Sequence, residues 1–197
     1  MLIFVCGKSG SGKSTFAKKL ATALNFNYVD VDKIGHSIYE DENLINTLSR
    51  LFNANLYNEE NKFDRKLLGK ALFSEQDKSK IETFNNLTWS HMKKRLEPYL
   101  NQNSVLDYLM LPLTDLWDLK AIKILIRSLN EEDRINKILE RDKITKEYLK
   151  LRESSAPTFN QNQFHFIITH DYKNDFESQA IVIANSIKNM KGENIWL

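Results

Sequence analysis

Half of the glycines in this chain lie within six residues of one another, close to its beginning. The chain has 197 residues but only 6 glycines, and three of them are Gly7, Gly10 and Gly12. Average usage is about 7% glycine, so the cluster indicates a local structure that needs bare backbone. Before it, Leu2–Cys6 is a short apolar run typical of a buried strand, and the spacing of apolar residues after it predicts a helix over 14–24.

The segment Gly7–Ser14 matches the pattern G-x-x-x-x-G-K-[ST], placed between a strand and a helix. In that setting backbone N–H groups and the helix N-terminus together form a site for phosphate. We expect Lys13 to reach the β- and γ-phosphates of a nucleotide and the hydroxyl of Ser14 to bind Mg²⁺. The pattern therefore predicts a phosphate loop that binds a nucleotide together with Mg²⁺.

The composition excludes several other classes of protein. With 28 basic and 26 acidic residues the net charge is only +2, which does not indicate a nucleic-acid partner. Hydrophobic residues make up 42% of the chain, as in an ordinary globular protein, and no apolar run is long enough for a membrane helix. A single cysteine, Cys6, cannot form an internal disulfide, so we predict a cytoplasmic protein with no membrane association.

Strand-like and helix-like segments alternate along the chain. A charged, helix-prone stretch covers 130–151, and a helix is predicted to end before Pro98. This alternation predicts a parallel α/β sheet with helices on both faces, in one domain spanning 1–197. The predicted strands lie at 2–6, 26–32, 105–111, 121–126 and 164–169.

Two carboxylates follow the second predicted strand. If that strand lies next to the first, its end is beside the phosphate loop, where open α/β sheets bind ligands. Alternation along a strand would then point Asp30 and Asp32 the same way. Either carboxylate could accept a proton from an acceptor hydroxyl or help to hold Mg²⁺. A solvated pair without function is the alternative interpretation.

A GTP-dependent switch is a further alternative, because the sequence matches two of the motifs of such proteins. Asp32–Gly35 fits D-x-x-G, and Asn61–Asp64 fits N-K-x-D. In a GTP-dependent switch the N-K-x-D motif, which recognises guanine, follows a core strand. Here Asn61–Asp64 follows a polar segment and comes before the third predicted strand. The setting therefore argues against a switch.

The order of these motifs resembles the dephospho-CoA kinase family. The resemblance implies a P-loop NTPase three-layer fold with a five-stranded parallel sheet, a helical acceptor-binding insert over 35–100 and a lid over 128–160. The implied reaction is phosphorylation of the ribose 3′-hydroxyl of dephospho-CoA by ATP, in a monomer or weak homo-oligomer. The matching blocks are Gly7–Ser14, Asp30–Ile34, His36, Asp64–Leu68 and Arg141–Asp142.

The resemblance also implies roles for individual residues. Asp32 corresponds to the base for the acceptor hydroxyl, and Lys13 and Arg141 to catalytic cations. Ser14 corresponds to the metal ligand. Nucleotide binding is implied for Gly10, Ser11, Gly12, Lys13, Ser14 and Thr15. Substrate binding is implied for Asp30, His36, Asp64 and Arg65.

The chain departs from the family pattern at several positions. The strand and turn at Leu106–Pro112 lack a glutamate, Lys137 stands where an arginine is usual, and His170 replaces a late asparagine. Two alternatives follow from these differences. One is a kinase for another nucleotide or small metabolite, and the other is a nucleotide-gated regulatory protein.

Overall fold

The computed structural model describes residues 1–154 and 156–190, and the chain divides into two compact units. The first unit comprises Met1–Val31 and the described part of the chain from Tyr99 onward. The second comprises Asp32–Pro98. The organisation as one domain with an insert over 35–100 and a lid over 128–160 stays a prediction.

The first unit contains a five-stranded sheet in which every pairing is parallel. The strand order is β2-β3-β1-β4-β5, which confirms the predicted α/β fold class. The strands are β1 (Leu2–Cys6), β2 (Asn27–Asp30), β3 (Ser104–Asp107), β4 (Ala121–Ser128) and β5 (Phe166–His170).

An α-helix follows every strand except β3. No helix in the described residues is long and apolar enough to cross a membrane. The α-helices of the described chain are α1 (Lys13–Leu24), α2 (Val31–Ser37), α3 (Glu42–Phe52), α4 (Arg65–Ser74), α5 (Lys78–Leu100), α6 (Glu131–Asp142), α7 (Lys146–Glu153) and α8 (Glu177–Asn189).

The main core lies between one face of the sheet and helices α1 and α8. Ile3 and Val5 of β1 are fully buried there, together with Phe16 and Leu20 of α1 and with Phe176, which precedes α8. The rings of Phe16 and Phe176 meet edge to face with centroids 5.5 Å apart. This packing fixes the helix that begins at the phosphate loop.

The structure overturns two expectations about the second strand. β2 ends at Asp30 and α2 begins at Val31, so Asp32 lies in the first turn of a helix. The argument that alternation points Asp30 and Asp32 the same way is therefore wrong. The second strand is also not adjacent to the first, because β3 pairs with both β1 and β2 and lies between them.

Other boundaries also differ from prediction. β4 ends at Ser128 rather than at 126, and β5 spans Phe166–His170 rather than 164–169. β3 stops at Asp107 rather than at 111, and two short 3₁₀ turns follow it. The charged stretch forms two helices because Lys143 adopts a left-handed conformation, with φ 53°, that ends α6. Helix α5 continues past Pro98 to Leu100, since proline in a last turn removes only one backbone hydrogen bond.

The second unit is helical, as predicted. Helix α3 buries one face through Leu44, Ile45 and Leu48, in the periodicity of an amphipathic helix. Asp41 caps this helix, since its carboxylate accepts a hydrogen bond from the amide of Asn43 at 2.9 Å.

The packing of α1 gives a prediction about stability. We expect Phe16→Ala to lower the free energy of unfolding by about 3–5 kcal/mol, because it removes a fully buried ring and leaves a cavity. Urea unfolding measures the change. Thr22→Ala, on the exposed face of the same helix, is the matched control and should change stability by less than about 1 kcal/mol. A loss below about 1 kcal/mol for Phe16→Ala would contradict this account of the core.

Candidate active site

The phosphate loop joins β1 to α1, and its glycines are required by space as well as by conformation. Gly12 has φ 92°, and a Cβ there would lie 2.7 Å from Cε2 of Phe176 and 2.8 Å from Nδ1 of His170. Gly10 has φ 73°, and a Cβ there would lie 2.5 Å from Cγ1 of Ile138. Any side chain at either position is therefore strained and meets a packed neighbour.

Two polar atoms beside this loop are buried without a hydrogen-bond partner among the described residues. They are the hydroxyl oxygen of Ser11 and Nδ1 of His170. Burial lowers the pKa of His170, whereas a hydrogen bond of its ring with the backbone of Ser11 acts to raise it. Buried polar groups are normally paired, and unpaired ones at a phosphate loop fit a site shaped for a ligand.

Asp107, at the end of β3, provides the carboxylate beside the loop. Its residue is only 3% exposed, and its Oδ2 accepts a hydrogen bond from the hydroxyl of Tyr28 at 3.1 Å. Burial raises the pKa of Asp107, and the neighbouring Asp30 adds to that effect, whereas Lys13 and Ser14 act to lower it. Asp107 therefore lies within the electrostatic reach of the loop lysine and the loop hydroxyl.

These groups fit a divalent cation. Oδ1 of Asp107 is buried with no hydrogen-bond partner among the described residues, and the nearby hydroxyl of Ser14 acts to lower the pKa of this carboxylate. Carboxylate and hydroxyl oxygens are the ligands that Mg²⁺ prefers. In the sequence, Asp107 lies within the segment Leu106–Pro112, and an acid that ends an apolar run is a signal for such a position.

The predicted site residue Asp30 lies opposite Asp107 in the register of β2 and β3. The structure thus brings Asp30, Asp107, Lys13 and Ser14 to one edge of the sheet. Thr15, in the first turn of α1, is exposed.

The predicted lid cation Arg141 has an exposed side chain and pairs with its neighbour in sequence. Its Nε donates to Oδ1 of Asp142 at 2.6 Å, and Arg152 also donates to Asp142 at 2.8 Å. The hydrogen bond from Arg141 and then that from Arg152 lower the pKa of Asp142 to about 2. Arg152, which sequence analysis did not single out, also donates to the hydroxyl of Ser9 in the phosphate loop at 3.2 Å.

The second unit brings two predicted substrate-binding residues together. Nη2 of Arg65 donates to Nε2 of His36 at 2.9 Å. Asp64 caps α4 by accepting from the amide of Lys66 at 2.7 Å. Asp32, in the first turn of α2, is exposed.

A cavity of about 500 Å³ opens beside the phosphate loop in the first unit. Lys8 and Ser9 of the loop form one wall. The rest of the lining is mixed. Its apolar residues include Leu109, Leu125, Ile126, Pro157 and Phe159, and its charged residues are Arg127, Glu131, Arg134 and Glu153. A ligand in this cavity would lie next to whatever the loop binds.

Comparison with known proteins agrees with this geometry. The family model described as dephospho-CoA kinase matches residues 1–164. A dephospho-CoA kinase from Campylobacter jejuni strain RM1221 is 29% identical, over 95% of this chain and 97% of that protein. A solved dephospho-CoA kinase from Campylobacter jejuni has a TM-score of 0.62 at 24% identity and covers 96% of both chains. The protein TT1252 from Thermus thermophilus has a TM-score of 0.75 at 18% identity and covers 98% of both chains.

The buried carboxylate gives a prediction about pH. Because burial raises the pKa of Asp107 in the folded protein, its ionised form costs stability above that pKa. This cost in stability disappears at pH values below about 3.9, the pKa of an aspartate in the unfolded chain, because the carboxyl is then protonated in both states. We expect Asp107→Asn to raise the Tm of the protein without ligand, and to do so more at pH 7.5 than at pH 4.5. A change of 1 kcal/mol corresponds to about 2–4 °C for a chain of this size.

Thermal unfolding across this pH range, in EDTA, measures the effect. The exposed Asp118 provides the control, since Asp118→Asn should leave the pH profile unchanged. A lower Tm for Asp107→Asn at pH 7.5 would show that ionised Asp107 stabilises the unliganded fold and would contradict the prediction.

Proposed function

The chain belongs to the dephospho-CoA kinase family, so it phosphorylates dephospho-CoA to coenzyme A, and from this premise we propose how its residues share the reaction. The observation that carries the function is the family match over residues 1–164. The phosphate loop between β1 and α1 supports it, because it supplies the site that a phosphoryl donor needs.

We propose that ATP is the donor and that its phosphates bind the loop at Gly10–Thr15. The buried and unpaired hydroxyl of Ser11 supports a ligand there. Mg²⁺ would be held by Ser14 and by Asp107, and when bound it neutralises charge on the β- and γ-phosphates. Lys13, whose charge already acts on Asp107, would stabilise the negative charge of the transferring group.

Arg141 is the proposed lid cation. Its guanidinium uses two of its five N–H donors on Asp142, so three donors remain that could bind a phosphoryl group. Arg152 binds the same carboxylate and would keep its charge compensated if Arg141 moved. An exposed arginine with donors to spare suits a lid that closes over bound nucleotide.

We propose Asp32 as the base that accepts the proton of the acceptor 3′-hydroxyl. Its exposed carboxylate in the first turn of α2 supports access by a substrate. Asp30, His36, Asp64 and Arg65 are the proposed acceptor-binding residues, and the hydrogen bond between His36 and Arg65 supports a shared role for those two.

The cavity beside Lys8 and Ser9 is proposed to receive an apolar part of the acceptor. Its wall is shared with the phosphate loop, and Phe159 offers an aromatic face within it. A cytoplasmic location and a monomeric or weakly oligomeric state stay predictions.

The function is tested by product formation. The protein with ATP, Mg²⁺ and dephospho-CoA should yield coenzyme A and ADP, detected by mass spectrometry, and EDTA should stop the reaction. ATP binding without any coenzyme A at high enzyme concentration would contradict the function. A set of other hydroxylated nucleotides and metabolites in parallel would then identify a different acceptor.

The proposed base gives a prediction about rate. We expect Asp32→Asn to lower kcat by about 10²–10⁴-fold, because proton transfer from the hydroxyl loses its acceptor. The KM for ATP should stay within about twofold. Glu42→Gln, an exposed acid in the first turn of α3, is the matched control and should match the wild-type rate. A kcat for Asp32→Asn within a few-fold of wild type would assign the base elsewhere.

A further inference from the structure

Helix α6 carries an arginine that is buried and fully hydrogen-bonded. Arg134 is only 1% exposed. Its Nη1 donates to the carbonyl of Ser9 at 2.7 Å and to Glu153 at 2.6 Å. Its Nη2 donates to Glu153 at 3.1 Å and to Glu131 at 2.7 Å, and its Nε donates to Glu131 at 2.8 Å. All five donors of the guanidinium are therefore used.

This saturation excludes one role for Arg134 in the described conformation. A guanidinium with no remaining donor cannot bind a phosphate, and its charge is already balanced by two carboxylates. Although burial acts to lower the pKa of Arg134, the hydrogen bonds to Glu131 and Glu153 raise it, so the group stays charged. Arg134 can therefore influence nucleotide binding only through the loop atom that it binds, the carbonyl oxygen of Ser9.

The peptide bond between Ser9 and Gly10 transmits that contact. In a planar trans peptide the carbonyl and the following N–H point in opposite directions. With the Ser9 carbonyl bound to Arg134, the amide of Gly10 points away from that guanidinium. The next carbonyl is also held from outside the loop, since the hydroxyl of Tyr172 donates to the oxygen of Gly10 at 2.9 Å.

We propose that Arg134 is a positioning residue, which holds the Ser9–Gly10 peptide so that the Gly10 amide faces the phosphates of the bound nucleotide. This rests on the proposed use of the loop for ATP. Without the guanidinium the Ser9–Gly10 peptide can rotate. Ordering this peptide then costs free energy when the nucleotide binds, and the nucleotide binds more weakly. Two further contacts make the same connection between loop and lid, from Lys8 to Glu131 at 2.8 Å and from Arg152 to Ser9 at 3.2 Å.

The test compares ligands with and without phosphates. We expect Arg134→Met to weaken ADP binding by about 10- to 100-fold, measured by calorimetry, and to raise the KM for ATP. Adenosine affinity should change less than twofold, because adenosine does not use the loop. Arg134→Lys should recover part of the ADP affinity, since an ammonium can still donate to the Ser9 carbonyl. Lys150→Gln, an exposed lid charge on α7, should leave ADP binding unchanged.

Three outcomes would overturn the proposal. ADP affinity within twofold of wild type in a cooperatively folded Arg134 variant shows that the loop keeps its shape alone. Equal losses for ADP and adenosine show a general structural role, and so does an Arg134→Lys variant that binds ADP no better than Arg134→Met. If Arg134→Met does not fold, Glu153→Gln keeps the side-chain shape and should weaken ADP binding in the same direction, and unchanged binding there counts against the proposal.

The proposed function is tested separately by coenzyme A formation in the wild-type protein. If the wild type binds ADP but makes no coenzyme A, the acceptor assignment fails and the role of Arg134 can still be measured. If coenzyme A forms and the ligand comparison shows no dependence on Arg134, only the positioning role fails.

Discussion

The phosphate loop is packed so closely that its neighbours determine its shape, and the rest of the site depends on that contact. A side chain at Gly10 would meet Ile138 of α6, and one at Gly12 would meet Phe176 and His170. The carbonyls of two successive loop residues are also bound by groups from other elements. A loop held from outside in this way has its backbone orientation fixed in advance, which is the physical basis of electrostatic preorganisation.

The two ends of this loop are balanced electrostatically in different ways. On the side of α6 and α7, the buried charge of Arg134 is matched by Glu131 and Glu153, with every donor used. On the sheet side, Asp30 and Asp107 lie opposite each other, and burial makes the ionised form of Asp107 costly. The charge on the helix side is thus balanced by the protein itself, whereas the sheet side carries a buried carboxylate whose ionisation is costly. Proteins commonly accept such local costs at functional sites.

Sequence reasoning succeeded where the pattern is local. The run Leu2–Cys6 and the loop signature have a fixed relation to strand and helix, and the structure confirms β1 and α1 within one residue. It failed at Asp32, because one residue decides whether a strand continues or a helix begins, and both conformations suit the segment. It also gave no reason to prefer Arg134 over Arg141, since both belong to one charged helix and only burial separates them. The site roles of Asp32 and Arg141 stay predictions.

The sequence by itself determined that this chain has a parallel α/β core with a phosphate loop, because spacing of apolar residues and glycines is a local property. The tertiary structure alone decided that β3 lies between β1 and β2. The acid at the end of the strand next to β1, which leads into the phosphate loop, is therefore Asp107 and not Asp32. It also decided which arginine is buried against the carbonyl of Ser9. The position of β3 and the burial of Arg134 depend on contacts between residues that lie 77 to 125 positions apart, and no local pattern encodes such contacts.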